Sequence, residues 1–439
     1  MTTHRYRRHR AGSANPDEGA PVMRASAAWR TAVLASAAAL VVAGCGGAAE
    51  RRDVDAGGDG VLNLGYVLPE TGPLSYLGPA QIASVKLAVE EINEAGGVLG
   101  LPVPEVVASD EAGRADAAAR SADRVLSTGA DAIVGAASSE ASSAIVDSVT
   151  GSGVVQCSGS NTAATFGDYS DNGLYFRTAP SDDLQAMVLG KVIAEDGNER
   201  VALVARGDDY GRGLLELTTK ALEAAGVTVV LGETYETGTT NFDGIARKVA
   251  EANPDAVVVV SFEEGTRLLR ALIEAGVGPR DLAVYGADGL RRTELASAVS
   301  PDDPGALAGM KGTAPTLGDE EYGKQLTAFA PEVKDLQYAA QVFDCVTIIA
   351  LAVEAAQSDD PTVFAPEMVR VTTNGEKCTS FAACKDLLDR GVDIDYEGVS
   401  GPLDFEERGE PREALFDVYA YDESGALRTV RTEKSAAPN

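Results

Sequence analysis

Two short runs of this sequence gather hydroxyl donors where an apolar, strand-like stretch gives way to a helix-like one: Ala136-Ala137-Ser138-Ser139-Glu140 and Gln156-Cys157-Ser158-Gly159-Ser160-Asn161-Thr162-Ala163. Hydroxyls and the unpaired N–H groups of a helix N-terminus donate hydrogen bonds, and the helix dipole favours negative charge. Together the runs would make a receptor for a carboxylate. Taken singly, each Ser or Thr reads as an ordinary helix cap. A group of opposite sign stands in Gly286-Ala287-Asp288-Gly289, where a carboxylate with small neighbours follows another apolar run. Asp-Gly alone is a turn signal, yet a carboxylate facing an anion receptor would read a zwitterion. Arg206-Gly207-Asp208-Asp209-Tyr210-Gly211 and Ser261-Phe262-Glu263-Glu264 follow two further apolar runs. Their acid pairs, Asp208/Asp209 and Glu263/Glu264, are what a carboxylate-dependent hydrolase would use, although adjacent acids on loops are ordinarily just solvated.

The chemistry that is missing narrows the function further. Thr31 to Gly44 (TAVLASAAALVVAG) runs fourteen residues without a charge behind Arg24 and Arg30. That is too short to span a bilayer and fits the apolar core of a secretory signal. It ends at Val42-Ala43-Gly44-Cys45, which resembles the lipobox of bacterial lipoproteins and implies cleavage before a lipidated Cys45. Residues 1–22 read as a basic extension, with Met1 and Met23 as alternative starts. His4, His9 and Trp29 all lie in this leader, so the mature chain has no histidine. Ser-His-Asp and Cys-His nucleophile systems need an imidazole, and zinc sites usually use one; neither an enzyme nor a metal or cofactor site is expected. The mature chain carries 31 basic and 65 acidic residues, a net charge of −34. Charge of that sign argues against nucleic acid and against a basic membrane patch. No G-x-x-x-x-G-K-[ST] loop is present, so any ATPase must be a separate subunit. Once Cys45 is lipidated, Cys157, Cys345, Cys378 and Cys384 remain, an even set that reads as two disulfides with three connectivities open. Cys378 and Cys384 form the natural local pair, which leaves Cys157 with Cys345; buried free thiols are the alternative for that second pair.

About 395 mature residues call for two domains. After a glycine-rich tether ending near Gly60, apolar runs at 61–68, 106–107, 132–135 and 154–157 alternate with helical periodicities, the first bearing Ile82, Val85, Val89 and Ile92. The pattern restarts with strands at 201–205, 227–230, 256–260 and 282–285 and helices between them. Strands alternating with helices mean βαβ units and parallel sheets. Residues 301–318 read as a connection and 337–357 as a long apolar helix. Residues 376–395 hold the local disulfide loop, 396–426 a hairpin turning at Arg408-Gly409-Glu410-Pro411, and 431–439 a polar tail. No transmembrane span or heptad repeat is expected. In open parallel sheets, ligands collect where the carboxyl ends of strands meet converging loops, which is where the Ser/Thr runs and Asp288 fall.

From Val61 to about Glu423 the chain resembles the type I periplasmic binding proteins of the branched-chain amino acid transport class. The resemblance is carried by Gly65-Tyr66-Val67-Leu68 with Thr71-Gly72-Pro73, by the stretch from Ala88-Val89-Glu90-Glu91-Ile92-Asn93 to Gly96-Gly97-Val98-Leu99-Gly100, and by Asp209-Tyr210-Gly211-Arg212-Gly213. Tyr338 with the helix after it, and Ser400-Gly401-Pro402-Leu403-Asp404-Phe405, complete it. It implies an α/β fold of two Rossmann-like lobes with parallel central sheets joined by a three-segment hinge. Lobe 1 is expected over 61–180 and 313–397, and lobe 2 over 181–312 and 398–430. It further implies that Ser139 and Thr162 bind a ligand carboxylate, that the Ser160 carbonyl takes an ammonium, and that Asp288 is its acidic partner. Tyr210, Phe262 and, more loosely, Tyr338 would line the pocket. The sequence departs from the family pattern in three places: Asp288 is a methylene shorter than the usual Glu, Leu77 stands where some members have Tyr with Tyr76 one place off, and Ser138 stands for a disulfide cysteine. The expected role is an extracytoplasmic lipoprotein that closes on a small zwitterion and delivers it to the permease of an ABC importer. It would be monomeric, anchored through Cys45 to the outer face of the cytoplasmic membrane. A sensor subunit, or a binder of short amides, urea or aromatic acids, is the alternative.

Overall fold

The computed structural model describes residues 58–437. The expected leader, the lipidated Cys45 and most of the tether lie outside the described residues.

Strand β1 (Leu64–Leu68) is buried at all five positions, as a strand covered on both faces must be. It is followed by α1 (Gly78–Glu94), whose start is set by Pro79 in its first turn. Next come β2 (Val107–Asp110), α2 (Ala115–Leu126), β3 (Ala132–Gly135), α3 (Ser139–Gly151), β4 (Val155–Ser158) and β5 (Tyr175–Arg177). These strands form one wholly parallel sheet in the order β2-β1-β3-β4-β5. Gly135 at the end of β3 has φ +119°, and a Cβ there would meet the Val67 carbonyl oxygen at 2.2 Å; glycine alone allows the chain to turn so close to β1.

The chain then crosses to a second sheet. It runs through α4 (Asp182–Glu195), β6 (Arg200–Arg206), α5 (Asp209–Ala224), β7 (Thr228–Tyr235), α6 (Asp243–Ala252) and β8 (Ala256–Val260). It continues through α7 (Gly265–Glu274), β9 (Ala283–Gly286), α8 (Leu295–Val299) and β10 (Lys311–Pro315). It returns to the first lobe for α9 (Glu320–Phe329), α10 (Ala339–Ala356), α11 (Pro361–Arg370), β11 (Glu376–Cys378), α12 (Phe381–Asp389) and β12 (Ile394–Tyr396), and ends in the second with β13 (Glu413–Tyr421) and β14 (Leu427–Ala436). The second sheet has the order β14-β13-β10-β9-β8-β6-β7. Its β7 to β10 portion is parallel, while β13 and β14 are antiparallel additions at one edge.

Helix α10 is apolar enough to cross a membrane by length and composition, but its side chains are buried in the first lobe among those of α1, β4 and α11. Cys345 on α10 is bonded to Cys157 on β4, with Cα atoms 5.9 Å apart, and Cys378 is bonded to Cys384. The first bond fixes the strand leading to the Ser160 loop against the helix that begins after Tyr338.

Three expectations need correction. β10 pairs with β9 and β13, so the crossing expected at 313 falls after Pro315. Leu403 and Phe405 pack in the first-lobe core, so the second lobe resumes at β13 and not at 398. Residues 376–396 form a β-α-β unit that holds the local disulfide. The hairpin is β13–β14 with its turn at Asp422–Ala426, and the expected tail is strand as far as Ala436. Strand β14 pairs through its backbone while most of its side chains face solvent, so it leaves little apolar signal. The turn at 408–411 does exist, closed by a Phe405–Pro411 bridge. It buries Glu410 in an ion pair with the fully buried Arg177.

Candidate functional site

The loops after β3, β4, β8 and β9 and the start of α5 converge with the β1–α1 loop on a narrow cleft between the lobes, with free space of about 10 Å³. That is about the room one water needs.

One wall comes from the first lobe. Ser138 caps α3, its Oγ accepting the Ala141 N–H at 3.1 Å. Ser139 opens the helix and is buried, and its Oγ accepts the Ala163 N–H at 3.2 Å, which ties the two hydroxyl-rich loops together. Having accepted that bond, the Ser139 hydroxyl proton is free to donate outward. The N–H groups of Ser139 and Glu140, in the first turn of α3, have no preceding helical carbonyl to bond. Ser160 donates from Oγ to the Ala137 carbonyl at 3.3 Å, and Thr162 is buried beside it in the same cleft. An anion seated here would meet hydroxyl donors and a helix N-terminus.

The opposite wall carries Asp288, in a short 3-10 turn after β9 and 4 % exposed. The sequence suggested an unencumbered carboxylate. Instead, its Oδ1 accepts from the Tyr210 hydroxyl at 2.6 Å and from Gln185 Nε2 at 3.2 Å, and its Oδ2 accepts from the Tyr338 hydroxyl at 2.8 Å. Burial raises the Asp288 pKa, and these three donors pull it back. Tyr338 holds its place in the left-handed region, φ +63°, immediately before α10. Such a conformation is unfavourable for a bulky residue and is found where the surroundings over-determine it.

Asp182, at the start of α4, is fully buried near Asp288. Burial raises its pKa well above the carboxylate range and the Asp288 charge adds to this, against the Thr162 side chain and Arg177. No donor is well aligned on either of its oxygens.

The side walls are apolar and aromatic. Tyr210 and Phe262 stack at 5.1 Å with 12° between planes, and the Arg206 guanidinium lies 3.7 Å over Phe262. Leu74, Leu77 and Tyr338 of the first lobe share one apolar cluster with Tyr210 and Phe262 of the second. Tyr76 donates across the cleft to the Gly289 carbonyl at 3.1 Å, Gln337 to the Asp288 carbonyl at 2.9 Å, and Ser143 to Asp209 at 2.9 Å. The acid pairs that suggested hydrolysis have other duties. Asp208 and Glu264 are both bonded to buried Arg206, at 2.5 and 2.7 Å, and Asp208 also caps α5.

Ser139, Ser160, Thr162, Tyr210, Phe262, Asp288 and Tyr338 thus line one cleft. Residues 61–405 match the family model described as periplasmic binding protein. The chain belongs to the periplasmic binding protein family. A relative in that family is the leucine-, isoleucine-, valine-, threonine- and alanine-binding protein of Pseudomonas aeruginosa, 27 % identical over 378 residues, 84 % of this chain and 92 % of that one. Among solved structures, a leucine-binding protein of Thermotoga maritima superposes with a TM-score of 0.70 at 19 % identity, covering 84 % of this chain and 98 % of the other. A solute-binding protein of R. palustris in complex with benzoate gives 0.70 at 17 % identity, covering 86 % and 98 %. At those identities the structures speak for the fold, the type I two-lobed architecture of periplasmic binding proteins.

Gln185, Gln337 and Asp182 were not singled out from the sequence. Gln185 could have been: it stands on the buried side of α4 with Leu189 and Val192, a polar group at an apolar spacing. Gln337 and Asp182 carry no such local mark.

Proposed function

We propose that this periplasmic binding protein captures a small zwitterionic amino acid, of branched-chain size or near it, by closing its lobes around it. The observation that carries this reading is the placing of Ser139 and Thr162 on one wall of a cleft whose other wall holds Asp288. The ligand carboxylate would take the Ser139 and Thr162 hydroxyls and the first N–H groups of α3. The ammonium would sit between Asp288 and the Ser160 carbonyl, and the side chain against Leu74, Leu77 and Phe262. Contacts to both walls exist in the closed form alone, so binding shifts the open–closed balance by that difference in affinity. A buried charge pair is tolerable because each ligand charge meets fixed partners.

The name of the Pseudomonas relative supports an amino-acid ligand. In this reading the protein is exported, monomeric, anchored through Cys45, and hands its ligand to an ABC permease with separate ATPase subunits. Solute capture needs no catalytic group, and the protein acts as a binder and not as an enzyme.

A second reading has one observation in its favour. Asp288 already has three donors, so a ligand without an ammonium, such as an aromatic acid, would leave it satisfied; a benzoate complex exists among the structural neighbours. A thermal-shift screen with branched-chain amino acids, short amides, urea and benzoates decides between them, because a ligand that binds the folded state raises the melting temperature by mass action. Stabilisation by leucine, isoleucine or valine supports the first reading. Stabilisation by benzoates alone overturns it.

A further inference from the structure

Behind the anion-side loop, outside the cleft lining, lies a further carboxyl group. Glu111 follows β2 and is completely buried. Its Oε2 accepts the Ala137 N–H at 2.6 Å, and the Ser138 N–H lies 3.4 Å from both of its oxygens. In the same turn, the Ala136 carbonyl accepts from Ser158 Oγ at 2.7 Å and from Ser142 Oγ at 3.0 Å. The β3–α3 turn is thereby held on its donor side by Glu111 and on its acceptor side by two serines, and the next residue is Ser139.

Two consequences follow. The Ala137 and Ser138 amides are engaged by Glu111, so an anion in the cleft depends on Ser139, Thr162 and the first turn of α3. In addition, a negative Glu111 would stand within two residues of the group that receives the ligand carboxylate. Like charges that close in a site sheltered from water oppose one another.

We propose that Glu111 is a positioning residue that couples ligand capture to the uptake of one proton: it clamps the β3–α3 turn from behind, and an anion seated in front of that turn favours the protonated carboxyl. The anion in question is the ligand carboxylate of the amino-acid reading. Burial pushes the Glu111 carboxyl up to about 8, with the Ala137 and Ser138 amides pulling it down and the Asp110 charge adding to the rise. The other charged groups on neighbouring elements point elsewhere. Arg124 on α2 donates to Ser109 Oγ, and Glu140 on α3 faces Asp208, Arg206 and Asp209 of the second lobe.

The test is calorimetry of L-leucine binding to the whole protein between about pH 7 and 8.5, in paired buffers of different ionisation enthalpy. The wild type should take up a fraction of a proton per leucine bound near pH 8, and its affinity should fall with rising pH by up to about tenfold per unit. Glu111→Ala should weaken binding about tenfold at pH 7. Glu111→Gln should recover most of that loss and flatten the pH profile, which a purely structural role would not do. Binding by the wild type with no proton uptake, or a wild-type slope persisting in Glu111→Gln, overturns the proposal. Failure of L-leucine to bind at all counts against the amino-acid reading alone. The proposal is then decided on the free protein by carbon-13 NMR, following the carboxyl resonance that Glu111→Gln removes. A midpoint near 8 supports it, and a midpoint in the ordinary carboxylate range overturns it.

Discussion

The Tyr338 hydroxyl donates to Asp288 Oδ2 across 2.8 Å, from the residue before first-lobe helix α10 to the turn after second-lobe strand β9. The two lobes are therefore tied together at the group expected to read a ligand's positive charge. Tyr338→Phe removes this bond and leaves the ring. A hydrogen bond to a charged group contributes about 1.5–3 kcal/mol, so the unliganded variant should favour the open form. Small-angle scattering without ligand should show a larger radius of gyration than the wild type; an unchanged radius would mean the bond does not hold the lobes closed.

Asp288→Asn keeps the size of the side chain while deleting its charge and turning one of its two acceptor oxygens into a donor. Truncating one partner of a buried, hydrogen-bonded charge pair costs about 2–5 kcal/mol. Calorimetry should find amino-acid affinity at least about thirtyfold weaker, with benzoate binding, if any, unaffected. Equal amino-acid affinity would remove Asp288 from the site.

Several buried or half-buried carboxyls have raised pKa values, and they share one sign. Burial pushes Glu111 up to about 8, Asp131 up to about 7 and Asp344 up to about 6. Between the ordinary carboxylate range near 4 and these values, the folded state keeps protons that the unfolded chain has already lost. Stability therefore falls as pH rises through that window. The groups lowered by their partners, such as Asp110 and Asp196, act below it. The melting temperature should be several degrees higher near pH 5 than near pH 8.5; the reverse order would contradict the assignment of these groups as neutral acids at low pH.

The Cys157–Cys345 bond closes a loop 188 residues long, and Cys378–Cys384 one of six. In the chain-entropy picture the longer loop contributes roughly 4–5 kcal/mol and the shorter one less. The double variant Cys157→Ser/Cys345→Ser should melt far lower than the double variant Cys378→Ser/Cys384→Ser. It should also bind ligand more weakly, because Cys157 lies on the strand leading to Ser160. Differential scanning calorimetry of the two variants checks the order.

Much of this molecule could be read before its structure, and the rest hid for physical reasons. Continuous apolar runs such as Ala256–Val260 are buried on both faces, so they announce parallel strands without any tertiary knowledge. Ser139 was legible because a helix start follows an apolar strand, a local pattern. Strand β14 escaped because an edge strand with exposed side chains pairs through its backbone. The lobe boundary near 313 was displaced because β10, Lys-Gly-Thr-Ala-Pro, has the composition of a loop. At the site, the three donors on Asp288 come from Gln185, Tyr210 and Tyr338, which are 50 to 103 residues away in the chain. No local pattern encodes such a meeting. Arg206 was visible as a residue, but its commitment to Asp208, Glu264 and the face of Phe262 depends on three elements arriving together.

A zwitterion binder reads two opposite charges at once in one cleft. Calorimetry can ask this directly by titrating L-leucine beside two analogues, 4-methylpentanoate without the ammonium and 3-methylbutylamine without the carboxylate. Each analogue loses the hydrogen bonds of its missing group to one wall, and a hydrogen bond with one charged partner is worth about 1.5–3 kcal/mol, so both analogues should bind at least about tenfold more weakly than leucine. Binding of either analogue as tightly as leucine would contradict the claim.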